Sequence, residues 1–466
     1  MIRVVLLVPD RPTGWVDGRI APFFHPCESE AHTALTAEGF RVETVYAEHF
    51  LRSGRAEAGT LGLMSGACGE LTEKVTRKLT AAGGRMLILE GGPGNGGRRR
   101  AGQSRQITLT ATGARLSPSR LPRHHRIQGL RKRLLASAGW ALEPREGEEV
   151  AGRWGRSGPA VLLARHQGGA TVWRTGLSLD RLSSSDLLRL LGEIVSLDGP
   201  LLQRRSPLPE GARAVVSLLH DVEDPILNDP RGIQSVRDGT VACLQAEARH
   251  GFRATYNLVG RFSREIPDLV RRIAAEGHEL ASHGGTHQVV ADLADDALTD
   301  DVVRAEEEIR SITGARIQGF RSPRSRWSGP LLRVLGERRY SWNAEADDSP
   351  FPYSIPGAGN GGLVRMPVAV DDWDYVKRNA STGAVQKVWM KEVRSAMERR
   401  CWVAIGSHPS VLGARPERAA AFGTFLGWLA GQEVRVLTLG EGASWWRARM
   451  GGQETERARE TGGDFV

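Results

Sequence analysis

From residue 212 onward the chain repeats one pattern, a short apolar run followed by a helical stretch, at intervals of roughly 30 residues. Residues 214–219, 254–259, 279–282 and 317–320 read as strands, and 241–250, 267–276 and 295–313 as helices. Strands separated by helices lie parallel, and several such units in one domain close into a barrel. The chemistry of such a barrel sits at the C-terminal ends of its strands, so the residues directly after each apolar run are where function is to be sought.

The first 200 residues alternate as well. Strands are expected at 4–8, 41–46 and 86–89, helices at 31–39 and 71–82, and a hairpin from 160–164 and 171–175 around Gly168-Gly169. The resulting organisation is an α/β accessory domain over 1–202, a linker rich in Pro, Gly and Arg over 203–211, the (β/α) barrel over 212–450, and a polar tail, 451–466, expected to be disordered.

With 40% hydrophobic and 25% charged residues in 466, global disorder is excluded. No apolar run reaches the roughly 20 residues of a membrane-spanning helix, and the apolar start is shorter than a secretory signal core, which points to the cytoplasm. Cys27, Cys68, Cys243 and Cys401 form no CxxC pair, so neither a thiolate zinc site nor a disulfide framework is expected. The net charge of +9 is uneven: residues 91–140 hold eleven Arg or Lys, with clusters at Arg98–Arg100 and Arg131–Arg133, and no Asp or Glu. This basic 91–140 segment suits a solvated face, or a peripheral contact with anionic lipid or a phosphate. No nucleic-acid reader motif accompanies it, so nucleic acid is not an expected partner. The Gly91–Gly97 loop lacks both a Walker Lys-Ser/Thr and the GxGxxG order, and reads as a plain βα loop.

Three clusters stand at strand ends of the barrel. His220-Asp221-Val222-Glu223-Asp224 follows the run 215–219; four ionisable side chains beside a buried strand are either a solvated turn or a set that must be paired or metal-bound. His283-Gly284-Gly285-Thr286-His287 follows 279–282, and two imidazoles at this spacing reach one metal if the segment turns as a helical loop. Ser407-His408-Pro409 follows 402–406.

In this order the clusters resemble the polysaccharide deacetylase family, carbohydrate esterase family four, over about 212–440. Gly251-Phe252-Arg253-Ala254-Thr255-Tyr256 is similar to the family's second strand, and Gly319-Phe320-Arg321-Ser322-Pro323 to its third motif. Val370-Asp371-Asp372-Trp373-Asp374-Tyr375 resembles the fourth motif, and Ala404-Ile405-Gly406-Ser407-His408-Pro409 the fifth. The resemblance implies a distorted barrel and a divalent metal, Zn2+ first, with Co2+ or Mn2+ as alternatives. Its ligands would be Glu223, His283 and His287, its catalytic residues Asp221 as base, Arg321 holding that base ionised, His408 as acid and Asp374 as the partner of His408, with Asp371 as the alternate. A second register puts His220 in the base position and Asp221 on the metal, and Asp224 is a third candidate for the carboxylate ligand. Glu223 stands where the family has Asp, Gly284 where it has a hydroxyl residue, Tyr375 where it often has Trp, and Gly406 where it has Leu.

The implied reaction is hydrolysis of the acetamide of an N-acetylated amino sugar or sugar-bearing metabolite, with a small-molecule or glycan-conjugate substrate. The alternatives are another amide or ester hydrolase on the same barrel, and a catalytically silent glycan-binding or scaffold protein. In the N-terminal half, Ala160–Ala164 followed by Gly168-Gly169-Ala170-Thr171-Val172-Trp173 is similar to glutamine-amidotransferase-like accessory domains, which implies a flavodoxin-like sheet. Amidotransfer would need a Cys nucleophile on a sharp turn, and neither Cys27 nor Cys68 offers one. The oligomeric state is not legible.

Overall fold

The structure, a computed structural model, describes residues 3–10, 15–16, 19–20, 23–24, 26–53, 59–90, 105–109, 133–136, 142–154, 160–167, 170–177, 179–182, 187–188, 190–191, 205–347, 349–356 and 362–450. The Gly91–Gly97 loop, most of the basic 91–140 segment with Arg98–Arg100 and Arg131-Lys132, the Gly168-Gly169 turn and the tail 451–466 lie outside them. Among the described residues no helix is long and apolar enough to cross a membrane. The chain divides into two compact units, Met1–Asp10 with Phe24–Arg205, and Arg11–Phe23 with Ser206–Val466.

The first unit holds a sheet of strands β1 (Arg3–Val8), β2 (Val42–Tyr46), β3 (Thr60–Ser65), β4 (Arg85–Leu89), β5 (Arg105–Leu109), β6 (Arg133–Ala136), β7 (Glu149–Trp154), β8 (Ala160–Gln167) and β9 (Ala170–Thr175). Their order is β2-β1-β3-β4-β9-β8-β7-β5-β6. The parallel part, β2-β1-β3-β4, has the flavodoxin-like order, and from β9 outward the pairs are antiparallel. Helices α1 (Pro26–Ala37), α2 (Ala47–Ser53) and α3 (Glu70–Ala81) accompany it, with Val5, Leu7, Phe50, Val75, Leu79 and Met86 in one core. Strand β3 was not anticipated: Gly62 interrupts its apolar alternation, and only tertiary burial of all six residues reveals it.

The second unit is a barrel of parallel strands, β10 (Ala214–Val222), β11 (Thr255–Leu258), β12 (Glu279–Ser282), β13 (Gly319–Arg321), β14 (Trp342–Ala346), β15 (Val364–Val368) and β16 (Trp402–Ser407), with the short strand Val434–Val436 parallel to the start of β10. They pair in the order β15-β14-β13-β12-β11-β10-β16. Closure is irregular, because it is the backbone after β15 that meets β16: Ala369 N–H donates to Ala404 O and Gly406 N–H to Val370 O, at 3.1 and 2.8 Å. Between β14 and β15 a short strand, Tyr353–Ser354, stands in the place of a helix. The expected distorted (β/α) barrel is therefore what the chain forms.

Around it run α4 (Ile233–His250), α5 (Pro267–Ala275), α6 (Asp295–Thr313), α7 (Gly329–Glu337), α8 (Thr382–Arg399), α9 (Pro416–Leu429) and α10 (Leu439–Met450). Helix α4 begins eight residues before the expected 241, because Gly239 in its first half is a packing residue. A Cβ there would lie 1.9 Å from the Pro409 carbonyl oxygen. Strand β10 runs past the expected 219 through His220, Asp221 and Val222, all nine residues buried, so the first ionisable cluster is not a solvated turn.

Candidate active site

Alternation along β10 sends Asp221 and His220 to opposite faces. Asp221 faces the barrel interior, where Arg321 Nε donates to both its oxygens at 3.1 and 2.8 Å and Asn257 Nδ2 donates to Oδ1 at 2.7 Å. Arg321 is braced in turn by donating from Nη1 to Ser325 Oγ at 3.2 Å. Burial opposes ionisation of Asp221, but the Arg321 guanidinium and the neighbouring His283 and His408 imidazoles outweigh it and hold the carboxyl at about 2. His220 points instead to the helix side, between Glu247 of α4 and Ser407. The register with His220 as base is thereby corrected: its ring is on the wrong face of the strand.

Glu223, His283 and His287 converge, with one ligand atom from each inside a 4.8 Å span. His283 Nδ1 donates to the Arg321 carbonyl at 2.9 Å, which leaves the Nε2 lone pair turned to Glu223, 3.6 Å from Oε2. His287 Nε2 lies 2.7 Å from the same oxygen. The segment is not the helical loop expected: Gly284 has φ +81° and His287 φ +61°. A Cβ on Gly284 would lie 2.9 Å from Asp301 Oδ2, so the position that holds a hydroxyl residue in the family accepts only glycine here. Asp301, buried on α6, holds the loop by accepting from Gly285 N–H at 2.8 Å and Thr286 Oγ1 at 2.7 Å. Burial raises the Glu223 carboxyl, but the His283 and His287 imidazoles beside it pull it well below its usual range. Two imidazoles and one carboxylate, with the tautomer of one ring fixed from behind, fit a divalent ion of the zinc type. Asp224 does not join them; it accepts from Arg261 Nη2 at 2.8 and 2.7 Å in a half-exposed ion pair.

His408 follows the last residue of β16. Its Nδ1 lies 2.7 Å from Asp372 Oδ1, its backbone N–H donates to both Asp372 oxygens at 3.1 Å, and its Nε2 sits 3.6 Å from Asp221 Oδ2. Burial lowers the imidazole, but Asp372 outweighs it and pushes the ring up to about 10. The partner of His408 is thus Asp372, which corrects both the expected Asp374 and the alternate Asp371. The reason lies in the irregular closure: Val370 pairs beside Gly406, and two residues further along both chains Asp372 meets His408. Asp371 turns back to accept from Trp373 N–H at 3.0 Å, and Asp374 opens the short helix Asp374–Lys377. Trp373, not Tyr375, lies against the imidazole, with ring centroids 4.9 Å apart. The side of Gly406 is closed by Asp371, whose Cβ would lie 3.2 Å from an added Cβ.

Asp221, Arg321, His408 and the trio Glu223, His283 and His287 are therefore brought together as the sequence suggested. Asn257, Asp301, Asp372 and Trp373 went unread. Asn257 carried a faint signal, an amide in the middle of an apolar strand. In the first unit burial, then Glu28, pushes the Cys27 thiol up to about 12.

Residues 227–341 match the family model described as Polysaccharide deacetylase. The chain is similar to a chitooligosaccharide deacetylase of Azorhizobium caulinodans, 28% identical over 23% of this chain and 54% of that protein. It is also similar to a peptidoglycan-N-acetylglucosamine deacetylase of Bacillus cereus, 29% identical over 31% of this chain and 46% of that one. A solved structure, a family 4 carbohydrate esterase from Streptomyces lividans in complex with acetate, matches with a TM-score of 0.34 and 20% identity, covering 48% of this chain and 92% of that one. The chain spans about half the length of the curated relatives it matches. Within the second unit, residues 227–341 are therefore similar to a polysaccharide deacetylase domain.

Proposed function

We propose that the protein is a metal-dependent N-deacetylase that hydrolyses the acetamide of an N-acetylated amino sugar or sugar-bearing metabolite, giving acetate and the free amine. One observation carries the reading. A carboxylate held at about 2 and an imidazole held at about 10 face each other, His408 Nε2 to Asp221 Oδ2 3.6 Å, beside a His-His-Glu trio. Environments that drive an acid and a base apart in this way mark their roles.

Glu223, His283 and His287 would hold a divalent ion, zinc in this reading, which would supply the Lewis acidity for water to lose a proton near neutral pH and for an acyl oxygen to be polarised. Asp221, kept ionised and oriented by Arg321 and Asn257, takes that proton. His408, kept cationic by Asp372, gives its Nε2 proton to the amine nitrogen as the C–N bond breaks, because an amine leaves poorly unless protonated. Trp373 covers one side of the imidazole and limits its access to water. The relatives named for chitooligosaccharide and peptidoglycan N-acetylglucosamine deacetylation support an N-acetylated glucosamine unit as the substrate class. The flavodoxin-like unit is accessory in this reading.

Elemental analysis of the purified chain tests the site. About one equivalent of zinc or a similar ion in the wild type, lost in the His283→Ala/His287→Ala double variant, is expected. A wild type that neither contains nor takes up zinc would overturn the metal-dependent reading.

A further inference from the structure

The side of the barrel behind the candidate active site carries a second polar cluster that the chemistry above does not use. His220 pairs in register with Tyr256 on β11 and with Ser407 on β16, and all three turn to the helix side. There His220 and Tyr256 meet Glu247 of α4, which is fully buried, and Ser407 bonds His220. His220 Nε2 lies 2.6 Å from Glu247 Oε1, His220 Nδ1 lies 2.7 Å from Ser407 Oγ, and Tyr256 OH donates to Glu247 Oε2 at 2.7 Å. The His220 ring packs against Tyr256 at 4.6 Å and edge-on to Phe422 at 5.6 Å. Burial opposes its protonation, yet the neighbouring Cys243 sulfur and the Glu247 carboxylate raise it well above the usual imidazole value.

Each strand residue of this cluster is the chain neighbour of a residue on the reacting face: His220 precedes Asp221, Tyr256 precedes Asn257, and Ser407 precedes His408. Three adjacent strands thus carry a matched front and back at one level. A slip of one residue between them would exchange the two faces and scatter the site. Buried ion pairs add little net stability over well-packed apolar residues, and their best-attested use is to fix register. Every bond in this one crosses between strands or from a strand to a helix.

We propose that Glu247 and His220, with Ser407 and Tyr256 bonded to them, are positioning residues that lock β10 against β11 and β16 and so hold Asp221 and His408 at reacting distance. The positioning serves the deacetylation proposed above and rests on that reading for its purpose.

The test compares full-length wild type, Glu247→Gln, the His220→Gln/Glu247→Gln double variant and Leu335→Ala. Leu335 is buried on α7 and belongs to none of the three strands, so Leu335→Ala serves as a core control whose loss of melting temperature is measured beside that of the lock variants. Two readouts are taken: acetate release from N-acetylglucosamine oligomers, and amide hydrogen exchange. Glu247→Gln keeps the shape and removes the charge. It is expected to lower kcat about tenfold with KM within about twofold, and to speed exchange at the Asp221 and His408 amides but not at Arg321 or Ala344. The double variant should be no worse than Glu247→Gln by more than about twofold, because the two residues act as one unit. Wild-type kcat and exchange in Glu247→Gln would overturn the proposal, as would a loss no larger than that of Leu335→Ala. A wild type that releases no acetate would fell the deacetylase reading alone; exchange then decides, a local rise at Asp221 and His408 supporting the lock and its absence overturning it.

Discussion

Both units end their parallel strands in buried charge, but they dispose of it differently. In the flavodoxin-like unit, Arg174 on β9 donates to Glu148 at 3.0 and 2.6 Å, to the Glu143 carbonyl at 2.7 Å and to Glu90, just past β4, at 3.5 Å. Arg145 reaches the same Glu90 oxygen at 3.3 Å. The charges there consume one another. In the barrel, Arg321 neutralises Asp221 from one side only, and His408 Nε2 and the ligand atoms of Glu223, His283 and His287 converge near that carboxylate without closing the set. A buried charge becomes chemistry where its fixed partners leave one direction unfilled; where they fill every direction it is a brace.

Substitutions can break or sharpen this contrast. Asp221→Asn removes the base while keeping most of the shape, and kcat for acetate release is expected to fall by about a thousandfold or more. His408→Asn should cost about a hundredfold to a thousandfold, with a smaller loss on substrates whose leaving group needs no proton, such as activated acetyl esters. Asp372→Asn acts through His408. In the proposed reaction the imidazole acts in its protonated form, present below its value of about 10, so the wild-type activity should decline on the alkaline side only near that pH. Without the Asp372 charge the proton is held less tightly, and the alkaline limb of the kcat/KM profile should move to lower pH; an unmoved limb would remove His408 from the acid role.

On the other side of the comparison, Arg174→Met should leave kcat unchanged and lower stability by about 3 kcal/mol, because Glu148 loses its cation and Glu90 keeps only the longer pair with Arg145. A denaturant titration of the full chain reads that loss. Smallest of all, Arg261→Gln opens the half-exposed pair with Asp224 and should change neither metal content nor kcat, with about 0.5 kcal/mol or less in stability. A loss of metal in that variant would return Asp224 to the ligand set.

How far the sequence foretold this follows from which interactions are local. Helix α6 was legible end to end because its periodicity, acidic first turn and Gly314 stop all lie within one stretch. The pair His283 and His287 was legible for the same reason, although the glycine-dependent loop that joins them was not. Asp372 could not be told from Asp371 or Asp374, since the choice depends on how the chain after β15 registers on β16, a pairing between distant segments. His220 was ambiguous until strand β10 was seen to continue past Leu219, after which alternation assigns its face. Asn257 and Asp301 needed the neighbouring elements in place before either had a partner.

In the proposed reaction Asp221 and His408 act beside a divalent ion that Glu223, His283 and His287 would hold. This is tested most directly by acetate release from N-acetylglucosamine oligomers by the purified full chain, before chelation, after chelation and after zinc is returned. The account predicts release that chelation abolishes and zinc restores, with Asp221→Asn inactive throughout. Release that survives complete removal of the metal, or none from a chain shown to be zinc-loaded, would contradict it.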